Sequence, residues 1–204
     1  MELTEYLQLN ATGNKTVLAN IVAKCTRHHL DTDRHLIRKG NIADSYYFIE
    51  SGNIRSYYID KNKEHTVWIH SAEELFCEIR SLRLQRPTEF YFQALEPTTY
   101  LKIKAVDFDK FVTEDKELQR YMLQFWESRF IVALDANRVF QTMNAKQRYE
   151  FFIRNFPRFK ELPLQHLASL IGITQSSLSR IRRMKWFFAK WQFKQYGKFW
   201  TLQY

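Results

Sequence analysis

The chain has 204 residues, is 45% hydrophobic and 16% aromatic, and contains no run of about 18 apolar residues, so it has material for two modest packed cores and none for a membrane-spanning helix. Its start, MELTEYLQLN, lacks the basic-then-apolar layout of a secretory signal, and a cytoplasmic location is expected. The net charge of +9 is unevenly placed: residues 1–137 carry 18 Lys and Arg against 20 Asp and Glu, whereas residues 138–204 carry 13 against 2. A cationic third of that kind suits a polyanion, from which it releases condensed counterions. Nothing in it resembles a lipid anchor, so nucleic acid is the expected partner and a membrane is not.

In chain order, residues 1–24 read as helical with a break near Asn10 to Asn14 and an apolar set at Val17, Leu18, Ile21 and Val22, a cover for the domain that follows. The segment CTRHHLDTDRHLIRKGN holds three histidines and two aspartates at no metal-ligand spacing. It reads as two short strands around an Asp-rich turn, with solvated histidines. Cys25 and Cys77 are too few and too far apart for a disulfide framework, a zinc ribbon or a four-cysteine cluster. They are expected to be buried thiols, with a redox role as the other reading.

Residues 36–104 follow a strand pattern rich in Tyr, Phe, Ile and Val. In YYFIESGNIRSYYID, strands 46–50 and 54–59 are expected to be joined as a hairpin through Ser51, Gly52 and Asn53. HTVWIH, ELFCEI, EFYFQAL and TYLKIK follow as further strands, giving a small antiparallel barrel or jelly roll with Gly40 and Gly52 at its corners.

From Val106 the period becomes helical. A short helix up to Phe111 precedes a continuous one from Lys116 to Met143. One stripe of it carries Leu118, Met122, Phe125, Val132, Ala136, Val139 and Met143, with Arg129 as a polar interruption; a second carries Leu123, Trp126, Phe130 and Leu134. A helix apolar on two sides must bury both, one on the barrel and one on a second copy of itself. Its length of ~42 Å exceeds what a 100-residue domain needs to cross its own core, so a two-fold homodimer is expected.

Asn144 can cap the next helix, AKQRYEFFIRNF, whose packing face is Tyr149, Phe152, Ile153 and Phe156 and which Pro157 ends. Then comes LQHLASLIGITQSSLSRIRR, residues 164–183: a helix, a tight turn at Gly172, and a second helix capped by Thr174. Turning Leu178 and Ile181 inward leaves Gln175, Ser176, Ser179, Arg180 and Arg183 on an outer face free of acid. Such a face suits the major groove of a duplex, where Arg and Gln bond base edges and Ser and Thr bond phosphate. The last stretch, MKWFFAKWQFKQYGKFWTLQY, interleaves aromatics with lysines. It reads either as a hairpin turning at Gly197, forming a wing against phosphate, or as a tail packed on the helices.

The succession LIRKGN, FIESGNIRSYY, ELFCEI, a long helix and LASLIGITQSSLSRIRR resembles the Crp/Fnr family of transcription regulators over nearly the whole chain. It is most specific in the glycine-punctuated segment and the C-terminal motif, and less so before residue 30. The resemblance implies an α+β chain: an antiparallel β jelly roll of cyclic-nucleotide-binding type over 1–115, a dimerisation helix over 116–143, and a winged helix-turn-helix over 144–204. It also implies a homodimeric, non-enzymatic regulator of double-stranded DNA; on the outer face of the second helix of the motif, Gln175, Ser176 and Arg180 are expected at bases and Thr174, Ser177, Ser179 and Arg183 at phosphates. The other reading of the whole is a ligand-binding or protein-docking module that no longer reads DNA.

Cyclic-AMP-binding members of that family carry a Gly-Glu pair, a loop and an Arg-Ser pair, in which Glu holds the ribose and Arg-Ser the cyclic phosphate. By the resemblance Cys77 and Glu78 stand at the first pair and Thr88 and Glu89 at the second, so a carboxylate would face phosphate. An unpaired carboxylate beside a desolvated phosphate is unfavourable, and Arg83 or Arg86 could substitute only in a re-laid loop. The expectation is an effector pocket, for an unknown small molecule if any, that takes neither cyclic AMP nor cyclic GMP. Glu73, Glu74, Glu78 and Glu89 lack the partner base or metal that a catalytic pair needs and read as solvated acids. The cysteines for an iron-sulfur cluster are missing, and the strand histidines His65 and His70 read as polar surface rather than haem ligands. No cofactor is expected.

Overall fold

The structure, a computed structural model, describes residues 2–11 and 14–184. The wing or tail anticipated after residue 184 lies outside the described residues. Two compact units, residues 1–135 and 136–204, divide the chain. No helix among the described residues is long and apolar enough to cross a membrane.

The first unit begins with helices α1 (Leu3–Ala11) and α2 (Lys15–Lys24). Asn14 starts α2 by accepting the Thr16 N–H at 2.9 Å, and Leu18 and Ile21 are buried as their spacing requires. Eight strands follow: β1 (Thr26–Leu30), β2 (His35–Ile37), β3 (Ser45–Ser51), β4 (Asn53–Asp60), β5 (Lys63–Ser71), β6 (Leu75–Phe76), β7 (Tyr91–Ala94) and β8 (Thr98–Lys104). They form two antiparallel four-stranded sheets in the orders β1-β8-β3-β6 and β2-β7-β4-β5. Alternate residues of β3 serve two cores. Tyr47 and Ile49 meet Ile54, Phe76 and Phe92 between the sheets, while Tyr46 and Phe48 lie under the helices that cover the first sheet. A strand buried on both faces has no polar face to show, which is why YYFI is a continuous apolar run.

Three expectations are corrected here. Segments 46–50 and 54–59 are not a hairpin: β3 pairs with β6 and β8, β4 pairs with β5 and β7, and the chain changes sheet at Gly52. Gly52 has φ +93°, and a Cβ there would lie 2.4 Å from Thr98 Oγ1 and 2.8 Å from Thr98 Cα, so only glycine lets the crossing pass the start of β8. The local hairpin is β4–β5, whose turn residues Lys61 and Asn62 both have positive φ, as a two-residue turn matching strand twist needs. ELFCEI is a strand only at Leu75–Phe76; Glu78 then caps a six-residue helix, α3 (Ile79–Leu84). The histidines divide: His28 and His29 are exposed, but His35 is half-buried, with Nε2 2.9 Å from the Tyr57 hydroxyl.

Helices α4 (Ala105–Glu114) and α5 (Lys116–Thr142) follow. Leu118, Met122 and Phe125 of α5 join the core beneath α1, α2 and α4, while Leu123, Phe130 and Leu134 of the second stripe are 61%, 64% and 53% exposed.

In the second unit, α6 (Ala145–Asn155) opens on a capping box. Asn144 Oδ1 accepts the Lys146 and Gln147 N–H groups at 3.1 Å each, and Gln147 Oε1 accepts the Asn144 N–H at 3.0 Å. Asn144→Ala removes these bonds and is expected to lower the unit's stability by about 1 kcal/mol, read as a shift in urea midpoint at unchanged slope. Tyr149, Phe152, Ile153 and Phe156 are buried as anticipated, and a 3-10 turn (Pro157–Lys160) leads on to α7 (Leu164–Leu170) and α8 (Gln175–Met184). Between these two helices the Gly172 N–H donates to Ser169 O at 3.1 Å and the Ile173 N–H to Ala168 O at 2.9 Å, with Gly172 at φ +72°. That pair of bonds is the left-handed stop that satisfies the last carbonyls of α7.

Candidate functional site

Two places answer to the residues singled out by sequence, one in each unit. In the second unit, α8 is held by Leu178, which is fully buried. Thr174 begins it: Oγ1 accepts the Ser177 N–H at 3.2 Å and lies 3.0 Å from Ser176 Oγ and 2.9 Å from Ser177 Oγ. Its hydroxyl is therefore spent mainly on the cap. Thr174, Gln175, Ser176, Arg180 and Arg183 are exposed, and Ser177 and Ser179 are half-buried. Arg182 turns away, donating to Lys160 O at 3.3 Å with its guanidinium 5.9 Å from the Tyr149 ring. Arg180 and Arg183 make no ion pair among the described residues, which leaves an uncompensated cationic stripe.

In the first unit, among the predicted pocket residues Cys77, Glu78, Arg86, Thr88 and Glu89, the polar side-chain groups of Glu78 and Thr88 are engaged in local hydrogen bonds. The Glu78 carboxylate accepts the Ser81 N–H as the cap of α3, and burial raises its pKa. Ser81 Oγ accepts the Ala43 N–H at 2.8 Å and donates to Arg86 O at 2.6 Å, so the loop after α3 is tied down. Thr88 is buried; its N–H donates to Asn41 O at 2.8 Å and its Oγ1 accepts the Phe90 N–H at 3.1 Å. Glu89 and Arg86 are exposed. Arg83 is not available as a stand-in for the missing arginine, because it donates to Asp109 at 2.5 Å and to the Tyr46 hydroxyl at 2.6 Å. Cys77 is pushed up to about 12 and Cys25 to about 11 by burial, so both stay thiols at neutral pH and neither is primed for redox chemistry.

The space between the sheets is taken by an aromatic stack. His70 lies on Phe76 with centroids 4.2 Å apart and planes 15° apart, and Phe76 stacks with Phe92 at 6.0 Å and with Tyr47 at 5.4 Å. His70 is thus packed in the barrel rather than surface polar. Nor are all the acids solvated: buried Glu74 faces His70 Nδ1 at 2.9 Å, the Ser71 N–H at 3.2 Å and Arg129 Nη1 of α5 at 3.2 Å. Burial alone would raise the Glu74 pKa, but Arg129 and His70 hold it below the usual carboxylate range. This link from barrel to long helix was missed from sequence, though Arg129 had stood out as a polar residue in an apolar stripe.

Residues 27–115 match the family described as the cyclic nucleotide-binding domain. The first unit is therefore of that class in sequence as well as in its two-sheet fold. No curated protein matches the chain's sequence. Among solved structures the chain is similar to FixK2 from Bradyrhizobium japonicum, at 15% identity over 78% of this chain and 83% of that one, with a TM-score of 0.68. A CooA mutant from Carboxydothermus hydrogenoformans gives 18% over 81% and 78%, with a TM-score of 0.65. The c-di-GMP responsive global regulator CLP of Xanthomonas campestris gives 12% over 85% and 92%, also at 0.65. At these identities the likeness is one of fold.

Proposed function

We propose that the chain is a homodimeric, sequence-specific DNA-binding transcription regulator of Crp/Fnr type, with residues 1–115 as sensor, 116–143 as dimerisation helix and 144–204 as DNA-binding part. The observation that carries this is the acid-free exposed face of α8, held on a buried Leu178 behind a tight turn. Gln175, Ser176 and Arg180 are assigned to base edges, and Ser177, Ser179 and Arg183, with the helix start at Thr174, to phosphates. The exposed stripe Leu123, Phe130 and Leu134 supports a second copy as the partner of α5, since a soluble helix does not leave three large apolar side chains in water without one.

Selection of duplexes from a random pool, followed by affinity measurements over a salt series, tests the reading. A true binder yields a pseudo-palindromic site and loses affinity steeply as salt rises; a flat salt response would instead mark a regulatory module that does not read DNA. On the selected site Arg180→Ala is expected to cost about 1 to 3 kcal/mol and to relax preference at one base pair. A uniform loss on all sequences would demote Arg180 to a phosphate contact.

The sensor's effector is not cyclic AMP or cyclic GMP. Glu78 caps α3, Glu89 stands by the resemblance where phosphate would need a cation, and aromatic side chains pack between the sheets. Calorimetry with the full chain is expected to show no heat of binding for either nucleotide at micromolar concentrations; a saturating isotherm would overturn this part of the reading.

A further inference from the structure

Outside both sites, one patch of the first unit is organised unlike the rest. Residues 38–43 and 79–88 contain five Lys and Arg and no Asp or Glu. Elsewhere in residues 1–137 there are 13 basic residues against 20 acidic ones, so this is a cationic island on an acidic unit. The fold welds the two segments side by side. Gly40 N–H donates to Thr88 O at 2.9 Å, Thr88 N–H to Asn41 O at 2.8 Å, and Ala43 N–H to Ser81 Oγ at 2.8 Å. Within the island Ile42, Ile79 and Leu84 are 50%, 38% and 56% exposed. Lys39, Arg80 and Arg86 are exposed and make no ion pair among the described residues. Arg83 is the island's paired cation, held by Asp109.

Exposed aliphatic side chains on two tied segments whose cations Lys39, Arg80 and Arg86 make no ion pair among the described residues have the chemistry of a protein-docking patch whose partner is acidic around an apolar anchor. We propose that the surface of α3 and the 38–43 loop docks an acidic, amphipathic protein segment, separately from DNA binding by α8. Charge complementarity selects that occupant. The chain's own residues 185–204 carry four Lys and no acid, so their charge does not complement this surface. A nucleic acid would gain nothing from three aliphatic side chains that offer neither hydrogen bonds nor a stacking plane.

The test uses the full-length protein and a fluorescein-labelled helical peptide rich in Glu with Leu and Phe at i, i+3, i+4 spacing, read by anisotropy. Saturable binding is expected, weakened about tenfold by the double change Lys39→Glu with Arg80→Glu and several-fold by Leu84→Ser, while Arg180→Glu with Arg183→Glu leaves it within about twofold. A peptide with Ser in place of Leu and Phe should bind several-fold more weakly. Loss through the Arg180 and Arg183 changes but not the Lys39 and Arg80 changes would overturn the proposal, because the peptide would then be sampling the DNA-binding face. So would binding of phosphatidylcholine–phosphatidylserine vesicles that depends on Leu84 in the absence of peptide binding. A change in oligomeric state of the Lys39 and Arg80 variant by sedimentation would also overturn it, by assigning the surface to a contact between copies. Thermal melts of each variant matching the parent protein keep the comparison free of unfolding, and Leu84→Ser, which removes an exposed side chain, supplies an independent reading if the charge reversals disturb α3.

Discussion

Gly52→Ala is expected to destabilise the first unit by about 3 to 5 kcal/mol, the sum of forcing an alanine to positive φ and overpacking a tight crossing. The neighbours cannot yield: two of the three nearest atoms to the added Cβ are backbone, Thr98 Cα at 2.8 Å and Pro97 O at 2.9 Å. The crossing is also pinned on its far side, where the Leu95 N–H donates to Asn53 O at 2.9 Å and Ser71 Oγ to Asn53 Oδ1 at 2.8 Å. Urea unfolding followed by far-ultraviolet circular dichroism would measure the loss. A cost below about 1 kcal/mol would mean that the two sheets slide apart more easily than their shared core implies. Gly40→Ala makes the useful comparison: its φ of +92° is equally strained, yet nothing lies within 4 Å of the added Cβ, so it should cost only the backbone part.

The second large effect is expected at Arg129. Changing it to Met keeps the apolar stem but leaves Glu74, 7% exposed, as a buried carboxylate with only His70 and a backbone N–H. Breaking a buried pair in this way costs about 3 kcal/mol or more at neutral pH, because the remaining charge keeps its desolvation penalty. The pH dependence has a definite sign. With its pKa held below the unfolded value, Glu74 stabilises the fold above the ordinary carboxylate range, and that stability is lost as pH falls through its folded pKa. Without Arg129 only His70 and the Ser71 N–H oppose burial, the Glu74 pKa rises, and its contribution reverses sign: protonation now relieves the buried charge, so the cost of Arg129→Met shrinks as pH falls and the acid limb due to Glu74 is lost. Unfolding midpoints across a pH series would show it, and Glu74→Gln added to Arg129→Met should restore much of the loss. An acid limb that stays where it was would remove Arg129 from the account.

Helices were largely legible in the sequence, and sheet partnership was not. The α5 pattern ran for more than twenty residues, long enough for period 3.6 to declare itself, and Asn144 and Gly172 marked a start and a stop by chemistry that few other residues share. Period two, by contrast, says that a residue points up or down and nothing about which strand lies beside it. Ser51-Gly52-Asn53 therefore looked like a hairpin turn, when its glycine serves a change of sheet. Helix α3 was invisible for another reason: six residues hold less than two turns, and its capping residue Glu78 looked like one more acid on a strand. Of the candidate site, the exposed face of α8 was readable because helical spacing alone fixes it. The coupling of His70, Glu74 and Arg129 was not, because their contact spans 59 positions and depends on how α5 lies on the barrel.

The sheet order has a consequence for how the chain is made. β8 lies between β1 and β3, pairing Thr26 with Lys102 and Tyr46 with Ile103, and β2 waits likewise for β7, with His35 opposite Gln93. Of the strand pairs in the second sheet only β4–β5 is local. A ribosome delivering this polypeptide from its N-terminus thus releases the apolar run Tyr46 to Ile49 long before its partners exist, and neither core can close until Lys104 has emerged. Vectorial synthesis favours the β4–β5 hairpin as the first ordered piece and leaves the first sheet to form late and all at once.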